Sequence, residues 1–334
     1  MEDKKTLFSA VQPSGKLTIG NYLGALRNFK LLQDDYNCIF SLADLHTLTV
    51  RQEPSSLRAN TLELLATYLA CGLDPEKSVI FCQSHVPAHA ELTWILNTFC
   101  YPGELSRMTQ YKDKSRKHAD NVNMGLMDYP VLMASDILLY GTDVVPIGAD
   151  QKQHLELTRD LAIRFNGIYG DVFHIPEGYI PKTGFRIMSL QDPSKKMSKS
   201  DENLNAFVSM DDDRDTIIRK FKRAVTDSDN KIVCGEDKPG ITNLLTIYSL
   251  FADCSVKDAE KEFEGFGYGD FKLRVGEAVA DVIEPIRNEK NRLLSDKAYL
   301  NEVLLNGAEK AFKLSRKTLS KVYKKVGLLP LERK

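Results

Sequence analysis

Along its first two hundred residues the chain alternates short apolar runs with stretches whose apolar residues recur every three or four positions. Leu7, Phe8, Ala10 and Val11 form the first run, which breaks into Gln12-Pro13-Ser14-Gly15. From Asn21 onward, Tyr22, Ala25, Leu26 and Phe29 recur at helical spacing. This predicts a buried strand, a polar glycine-containing loop and the start of a helix. Cys38 to Ala43 predicts a second strand, ending at Asp44. Pro54 and Ser55-Ser56 then open a helix with Leu62, Leu65 and Leu69 on one face, closed by Gly72. Val79 to Cys82 predicts a third strand, and Pro87 begins another helix. The section from Tyr101 to Tyr140 reads as mostly helical. Asp143 to Ile147 predicts a further strand, which leads through Gly148-Ala149-Asp150-Gln151 into an amphipathic helix carrying Leu155, Leu157, Leu161, Ala162 and Phe165.

Beyond Ser200 the strand-like runs stop. Helical spacing links Ile217, Ile218, Phe221, Ala224 and Val225, then Leu244, Leu245, Tyr248 and Phe251. It continues through Val275, Val279, Val282 and Ile286, and ends with Ala308, Ala311 and Phe312. The pattern therefore predicts an α/β fold, with a doubly wound parallel sheet of the Rossmann-like, nucleotide-binding kind and a second, all-helical domain. The expected division is residues 1–190 for the sheet domain and 191–304 for the helical one. A last helix, about 305–334, is expected to pack back on the first domain. Ligands of such sheets lie at the carboxyl ends of the strands, where the Gln12 loop falls.

Length and composition fit this picture. The 334 residues, 43% hydrophobic and 27% charged, suffice for about two domains with full cores. A net charge of −1 gives no global attraction to nucleic acid, so any such contact must come from local patches. The opening Met1-Glu2-Asp3-Lys4-Lys5 is charged, with no apolar segment of a secretory signal, and no uncharged run nears the ~18 residues of a membrane span. A cytoplasmic, membrane-independent protein is expected. Cys38, Cys71, Cys82, Cys100, Cys234 and Cys254 contain no C-x-x-C and sit mostly in apolar runs. They read as reduced core thiols, with no zinc or iron–sulfur site and no disulfide framework.

The first loop and helix start suit an anion, because a helix N-terminus presents unpaired N–H groups, and Gly20 lets a ligand approach the backbone. It is neither a P-loop, which needs Gly-Lys-Ser/Thr, nor a dinucleotide loop, since Gly15, Gly20 and Gly24 lack G-x-G-x-x-G spacing. Near the predicted boundary lies Lys195-Lys196-Met197-Ser198-Lys199-Ser200, where ammonium groups flank a hydroxyl. Such a loop can neutralise a polyphosphate as charge moves onto its leaving group. Asp136 lies inside the apolar stretch Val131 to Leu139, where an unpaired carboxylate is costly. His85 and His89 have metal-like i, i+4 spacing, but Pro87 between them marks a helix beginning rather than one already formed, and they read as non-metal.

Together these residues resemble the class I aminoacyl-tRNA synthetases. Thr18-Ile19-Gly20-Asn21 stands where that class has its HIGH signature, and Lys196-Met197-Ser198-Lys199-Ser200 is its KMSKS loop. PSGKLTIGNYLGAL, GELSRMTQYKDKS, YPVLMASDILLY, GADQKQHLELTRD and the RIMSL run resemble the bacterial-type tryptophanyl branch, from about Phe8 through the C-terminal helix. The resemblance implies activation of L-tryptophan by ATP, with Mg²⁺ carried on the nucleotide, and transfer to the 3′ adenosine of tRNA(Trp). It further implies a homodimer, with the segment from Trp94 to Tyr101 a candidate interface, and a tRNA-binding role for the helical domain.

The same resemblance assigns residues. Gln12, Pro13, Ser14, Gly20 and Asn21 are expected to contact ATP, with Gly148, Ala149 and Asp150 on the ribose and adenine side and Ile187 beside the base. Lys196, Met197, Ser198, Lys199 and Ser200 are expected to close over the phosphates, and Lys114 to add a cation; Lys196, Ser198, Lys199 and Lys114 are the expected catalytic set. Asp136 is expected to accept the indole N–H, with Phe8, His46, Tyr129, Met133, Val145 and Ile147 around the ring and Gln151 on the amino-acid backbone. No protein-held metal is implied. Lys220, Lys222, Arg223, Arg316, Lys317, Lys321, Lys324 and Lys325 are candidate tRNA phosphate contacts. Two positions depart from the family pattern: Ala149 where Glu is usual, and Leu45 where Gln is usual. The rival readings are a tyrosyl enzyme, a small-molecule nucleotidyltransferase and a non-catalytic paralogue.

Overall fold

The computed structural model describes residues 4–117, 119–148, 151–179 and 186–329. Ala149 and Asp150 lie outside the described residues. By its internal contacts the chain falls into two compact units: residues up to 14, 30–182 and from 296 onward form one, and 15–29 with 183–295 form the other.

The first unit is built on five parallel strands, β1 (Thr6–Val11), β2 (Asn37–Leu42), β3 (Val79–Cys82), β4 (Val144–Pro146) and β5 (Glu177–Tyr179), in the order β3-β2-β1-β4-β5. Apolar runs became strands because their side chains are buried: Leu7, Phe40, Leu42 and Phe81 are sealed from solvent. The strand order reverses between β1 and β4, so their carboxyl ends flank the crevice in which such sheets hold ligands. β5 was not expected. Its Glu177-Gly178-Tyr179 sequence carries no apolar signal, and backbone pairing with β4 at the sheet edge defines it.

Helices Pro54–Ala70, Ala88–Asn97, Thr109–Lys117, Met124–Leu138 and Lys152–Tyr169 flank the sheet in sequence. The helix Lys297–Val326 packs against edge strand β3 so closely that a Cβ at Gly307 would sit 1.7 Å from the Ile80 carbonyl oxygen. Glu91, on the helix Ala88–Asn97, anchors it further, accepting from the Tyr323 hydroxyl at 2.6 Å and facing Arg316 at 3.5 Å. Arg316 is half-exposed beside Glu91, and Lys317, Lys321, Lys324 and Lys325 are exposed.

The second unit is helical, with Arg214–Lys222, Pro239–Phe251, Val256–Glu262 and Tyr268–Ser295 around Phe221, Phe263 and Phe271. Three lysines there are buried with carboxylate partners: Lys220 with Asp212 at 2.6 Å, Lys290 with Asp211, and Lys238 with both Asp227 and Asp229 at 3.1 Å. Lys220 also lies over the Phe207 ring, so it is a core cation and not an exposed phosphate contact; Lys222 and Arg223 remain exposed. Cys38, Cys71 and Cys82 are buried thiols that desolvation pushes up to about 12, but Cys234 is exposed, outside any core.

Gly307→Ala must separate the last helix from β3, because the clash is with backbone on both sides. We expect a loss of about 3 kcal/mol or more. Gly167→Ala, inside the helix Lys152–Tyr169 with nothing within 4 Å of the added methyl, should instead gain up to ~1 kcal/mol. Urea melts of the two variants check the contrast.

Candidate active site

In the sheet unit, candidate residues gather at the carboxyl edge. Phe8 projects from β1, Val145 from β4, and Ile147 follows β4; all three belong to one apolar cluster, against which Met133 also packs. His46 lies in the turn of helix after β2, and Gln83 immediately follows β3. Asp136, on the helix Met124–Leu138, is 2% exposed and is the point where these elements meet.

The Asp136 carboxylate is held by three side chains. His89 Nδ1 lies 2.6 Å from Oδ1, His46 Nε2 2.9 Å from Oδ2, and the Gln83 amide nitrogen 2.7 and 2.9 Å from the two oxygens. Burial alone raises this carboxyl, but attraction to His89 and hydrogen bonds from His46 and His89 outweigh it and hold it at about 2. Asp136 is therefore ionised at neutral pH. Behind His89, its Nε2 meets the Tyr140 hydroxyl at 2.8 Å, and Tyr140 stacks on Phe8 with centroids 5.7 Å apart. His89 is thus spoken for by two polar partners, while His85, its metal-spaced neighbour, is exposed.

A second polar chain adjoins the first through the edge contact of the His46 and Tyr129 rings. The Tyr129 hydroxyl meets His154 Nε2 at 2.9 Å, and His154 Nδ1 meets Gln151 Oε1 at 3.0 Å. With hydrogen on Nδ1, His154 donates to that oxygen and accepts from Tyr129. Lys114 sits 4.3 Å above the Tyr129 ring, and burial lowers its ammonium from the ordinary value. In the first loop, Pro13 is buried, Ser14 is exposed with its N–H on the Gln12 carbonyl at 2.8 Å, and Gly148 is exposed after β4.

In the helical unit, the helix expected from Asn21 starts at Ile19, because Thr18 caps it. The Asn21 N–H reaches Thr18 Oγ1 at 3.4 Å, and the Thr18 N–H donates to Asn21 Oδ1 at 2.9 Å, a reciprocal capping box. Asn21 therefore serves the backbone first. Ile19 N–H is taken by Val208 O at 3.0 Å and Asn21 N–H also by Thr18 O at 2.9 Å, which leaves the Gly20 N–H as what this helix start offers an anion. Nothing in the fold demands glycine at 20: a Cβ there would meet Thr18 Oγ1 at 3.4 Å and Ile187 Cβ at 3.7 Å, ordinary or slightly tight contacts. A π-helical turn, Tyr22–Leu26, follows.

The KMSKS segment hangs from the same place. Met197 is buried and donates its N–H to Ile187 O at 3.0 Å, and Met188 pairs with Lys196 in an antiparallel bridge. The Asn243 side chain clamps Met188 on both sides, accepting from its N–H at 2.9 Å and donating to its carbonyl at 3.0 Å. Methionine is thus the peg of the loop, while Lys196, Ser198 and Ser200 are exposed. Lys199 is half-buried, and desolvation lowers its ammonium from the ordinary value. Ile187, the anchor of Met197, is also the side chain beside Gly20.

Gln83, His154 and Tyr140 were missed from sequence, and His89 reads there only as a non-metal histidine, though its place in the first turn after Pro87 is a signal. Gln83 carried none beyond ending an apolar strand.

The family model described as class I tRNA synthetases (W and Y) matches residues 1–284. Tryptophan–tRNA ligases of Clostridium acetobutylicum and Clostridium tetani are 54% identical to this chain over 329 and 330 residues, 98% of each partner in both pairings. Among solved structures, tryptophanyl-tRNA synthetase from Mycoplasma pneumoniae superposes with a TM-score of 0.89 at 36% identity, covering 98% of both chains. The Campylobacter jejuni enzyme complexed with ADP and tryptophan superposes at 0.84 and 35% identity, covering 97% of this chain and 100% of its own.

The folded carboxyl of Asp136 stands at about 2, below the ordinary 3.8. Its ionic contribution is present above the unfolded value and is lost as pH falls through the folded one, a term of roughly 2 kcal/mol. The stability gap between wild type and Asp136→Asn should therefore narrow in urea melts taken from about pH 5 down to about pH 3.

Proposed function

This chain belongs to the class I tRNA synthetases of the tryptophan and tyrosine branch, and from that premise we propose that it activates L-tryptophan with ATP and transfers it to tRNA(Trp). The observation that carries the activity is the near full-length identity to two tryptophan–tRNA ligases. The tyrosine, tRNA-independent and non-catalytic readings are not favoured by those relatives.

In the first step the tryptophan carboxylate attacks the α-phosphate of ATP, giving tryptophanyl-adenylate and pyrophosphate. In the second, the ribose hydroxyl of the 3′ adenosine attacks the acyl carbon and AMP leaves. Neither step needs a covalent enzyme intermediate, so the chain's work is positioning and charge stabilisation. Asp136, held ionised, accepts the indole N–H, and Phe8, His46, Tyr129, Met133, Val145 and Ile147 enclose the ring. Gln151, oriented by His154, receives the amino-acid backbone. Gln12, Pro13, Ser14, Gly20, Asn21, Gly148, Ala149, Asp150 and Ile187 bind the nucleotide, with Gly20 presenting its N–H. Lys196, Ser198, Lys199 and Lys114 neutralise the departing pyrophosphate. The lowered ammoniums of Lys114 and Lys199 support their reading as partly desolvated cations.

Mg²⁺ enters this reading on the ATP phosphates, whose charge it neutralises. We place the protein in the cytoplasm with its tRNA; among the described residues no helix is long and apolar enough to cross a membrane. We also propose a homodimer. Trp94, 75% exposed, and Tyr101, 60% exposed, support an interface on the Trp94–Tyr101 segment. Sedimentation of wild type and Trp94→Asp at micromolar concentration checks it: a dimer that dissociates in the variant is expected.

Pyrophosphate exchange into ATP, run without tRNA against each of the twenty amino acids, tests the activation step. We expect exchange only with tryptophan, and a rise in tryptophan KM of about 100-fold or more in Asp136→Asn. Lys199→Ala should lower kcat by ~10²-fold with tryptophan KM little changed. Tyrosine-dependent exchange would overturn the substrate, and absent exchange the activity.

A further inference from the structure

The two oxygens of Asp136 carry four contacts from three side chains, two on each oxygen. A carboxylate has about four lone-pair positions, so an incoming indole N–H finds none vacant. One of the present donors must give way.

The histidines are poorly suited to that. His89 makes one contact to Asp136; its ring is held by Tyr140 on Nε2 and by the Phe81 ring 5.7 Å away, and its backbone carbonyl accepts from Ser135 Oγ at 2.7 Å. Burial raises the Tyr140 hydroxyl well above its ordinary value, so Tyr140 keeps its proton, and His89 Nδ1, facing the ionised Asp136 Oδ1 at 2.6 Å, is the donor of that contact. Breaking that bond would strand a donor in a fully buried ring. His46 likewise offers a single contact through Nε2.

Gln83 differs. One amide nitrogen spans both carboxylate oxygens, at 2.7 and 2.9 Å, so it can release one oxygen and keep the other. Its orientation is fixed independently, because Oε1 accepts the Leu45 N–H at 3.2 Å, an unambiguous donor, and the nitrogen must then face Asp136. Leu45 and His46 are adjacent, so the turn after β2 sets both Gln83 and the imidazole on Oδ2.

We propose that Gln83 and His89 are positioning residues for substrate selection: His89 fixes the aim of Asp136, and Gln83 yields one of its oxygens to the indole N–H. This rests on the reading of Asp136 as the acceptor of that N–H. An amino acid of the same shape without the N–H leaves Gln83 on both oxygens, so Gln83 keeps the carboxylate covered when no N–H arrives.

The test compares tryptophan with 3-(1-benzothiophen-3-yl)alanine, in which sulfur replaces the N–H, by kcat/KM in pyrophosphate exchange. Gln83→Met keeps the length and removes the donor; His89→Gln, whose amide stands nearer Nε2 than Nδ1, covers the case in which Gln83→Met does not fold. Opposite signs are expected in the folded variants. In Gln83→Met, where nothing re-covers the yielded oxygen, the preference for tryptophan rises about 10-fold or more. In His89→Gln, where the aim of Asp136 is lost, it falls by as much through tryptophan KM, with ATP KM unchanged in both. A fall in Gln83→Met overturns the inference. Equal losses for the two amino acids, leaving the preference intact, would reduce both residues to fold supports and overturn it. Asp136→Asn run alongside separates the two failures. A preference lost there but unchanged in Gln83→Met and His89→Gln overturns this inference alone, and a preference unchanged in all three overturns the Asp136 reading with it.

Discussion

One buried negative charge organises the sheet unit. Asp136 could not stay ionised among Val131, Ile137 and Leu138 without donors, and its donors come from the ends of β2 and β3 and from the helix after β3. The carboxyl ends of separate strands are thereby tied to one atom pair. The same tie links the apolar cluster, through Tyr140 and Phe8, to the polar chain of Tyr129, His154 and Gln151. The residue proposed to select the substrate is also a structural keystone, so its neighbours carry as much information as the carboxylate itself.

Much of the fold was legible because burial imposes periodicity. β1 to β4 appear as apolar runs, and the helices as spaced ones. β5 was not legible: three residues at a sheet edge need backbone partners, not apolar side chains, and Glu177-Gly178-Tyr179 supplies only the former. The helix at Ile19 was missed by two residues, since its start depends on the reciprocal bonds of Thr18 and Asn21 rather than on any apolar position.

The candidate site announced itself in sequence through charged and motif residues, and the side chains that hold Asp136 did not. A carboxylate inside an apolar run announces that donors exist without saying where. Gln83 and His89 lie 53 and 47 positions from Asp136, and only the parallel crossovers bring them together. The reverse error arises at Lys220, whose sequence context is a basic helix face yet whose ammonium lies between Asp212 and the Phe207 ring. Charge runs say little about exposure when a long side chain can reach inward.

The seat of the helix Lys297–Val326 on β3 has a consequence for how the molecule is made. β3 is an outer strand, and the helix whose Gly307 abuts its Ile80 carbonyl is encoded more than two hundred residues later, after the whole helical unit. During synthesis at ~5–20 residues per second, that strand waits ten seconds or more for its cover. An unpaired strand edge is a template for other chains. Its shortness, four residues ending in Cys82 and the tight Gln83–His85 turn, limits what a neighbouring nascent chain can pair with in that interval.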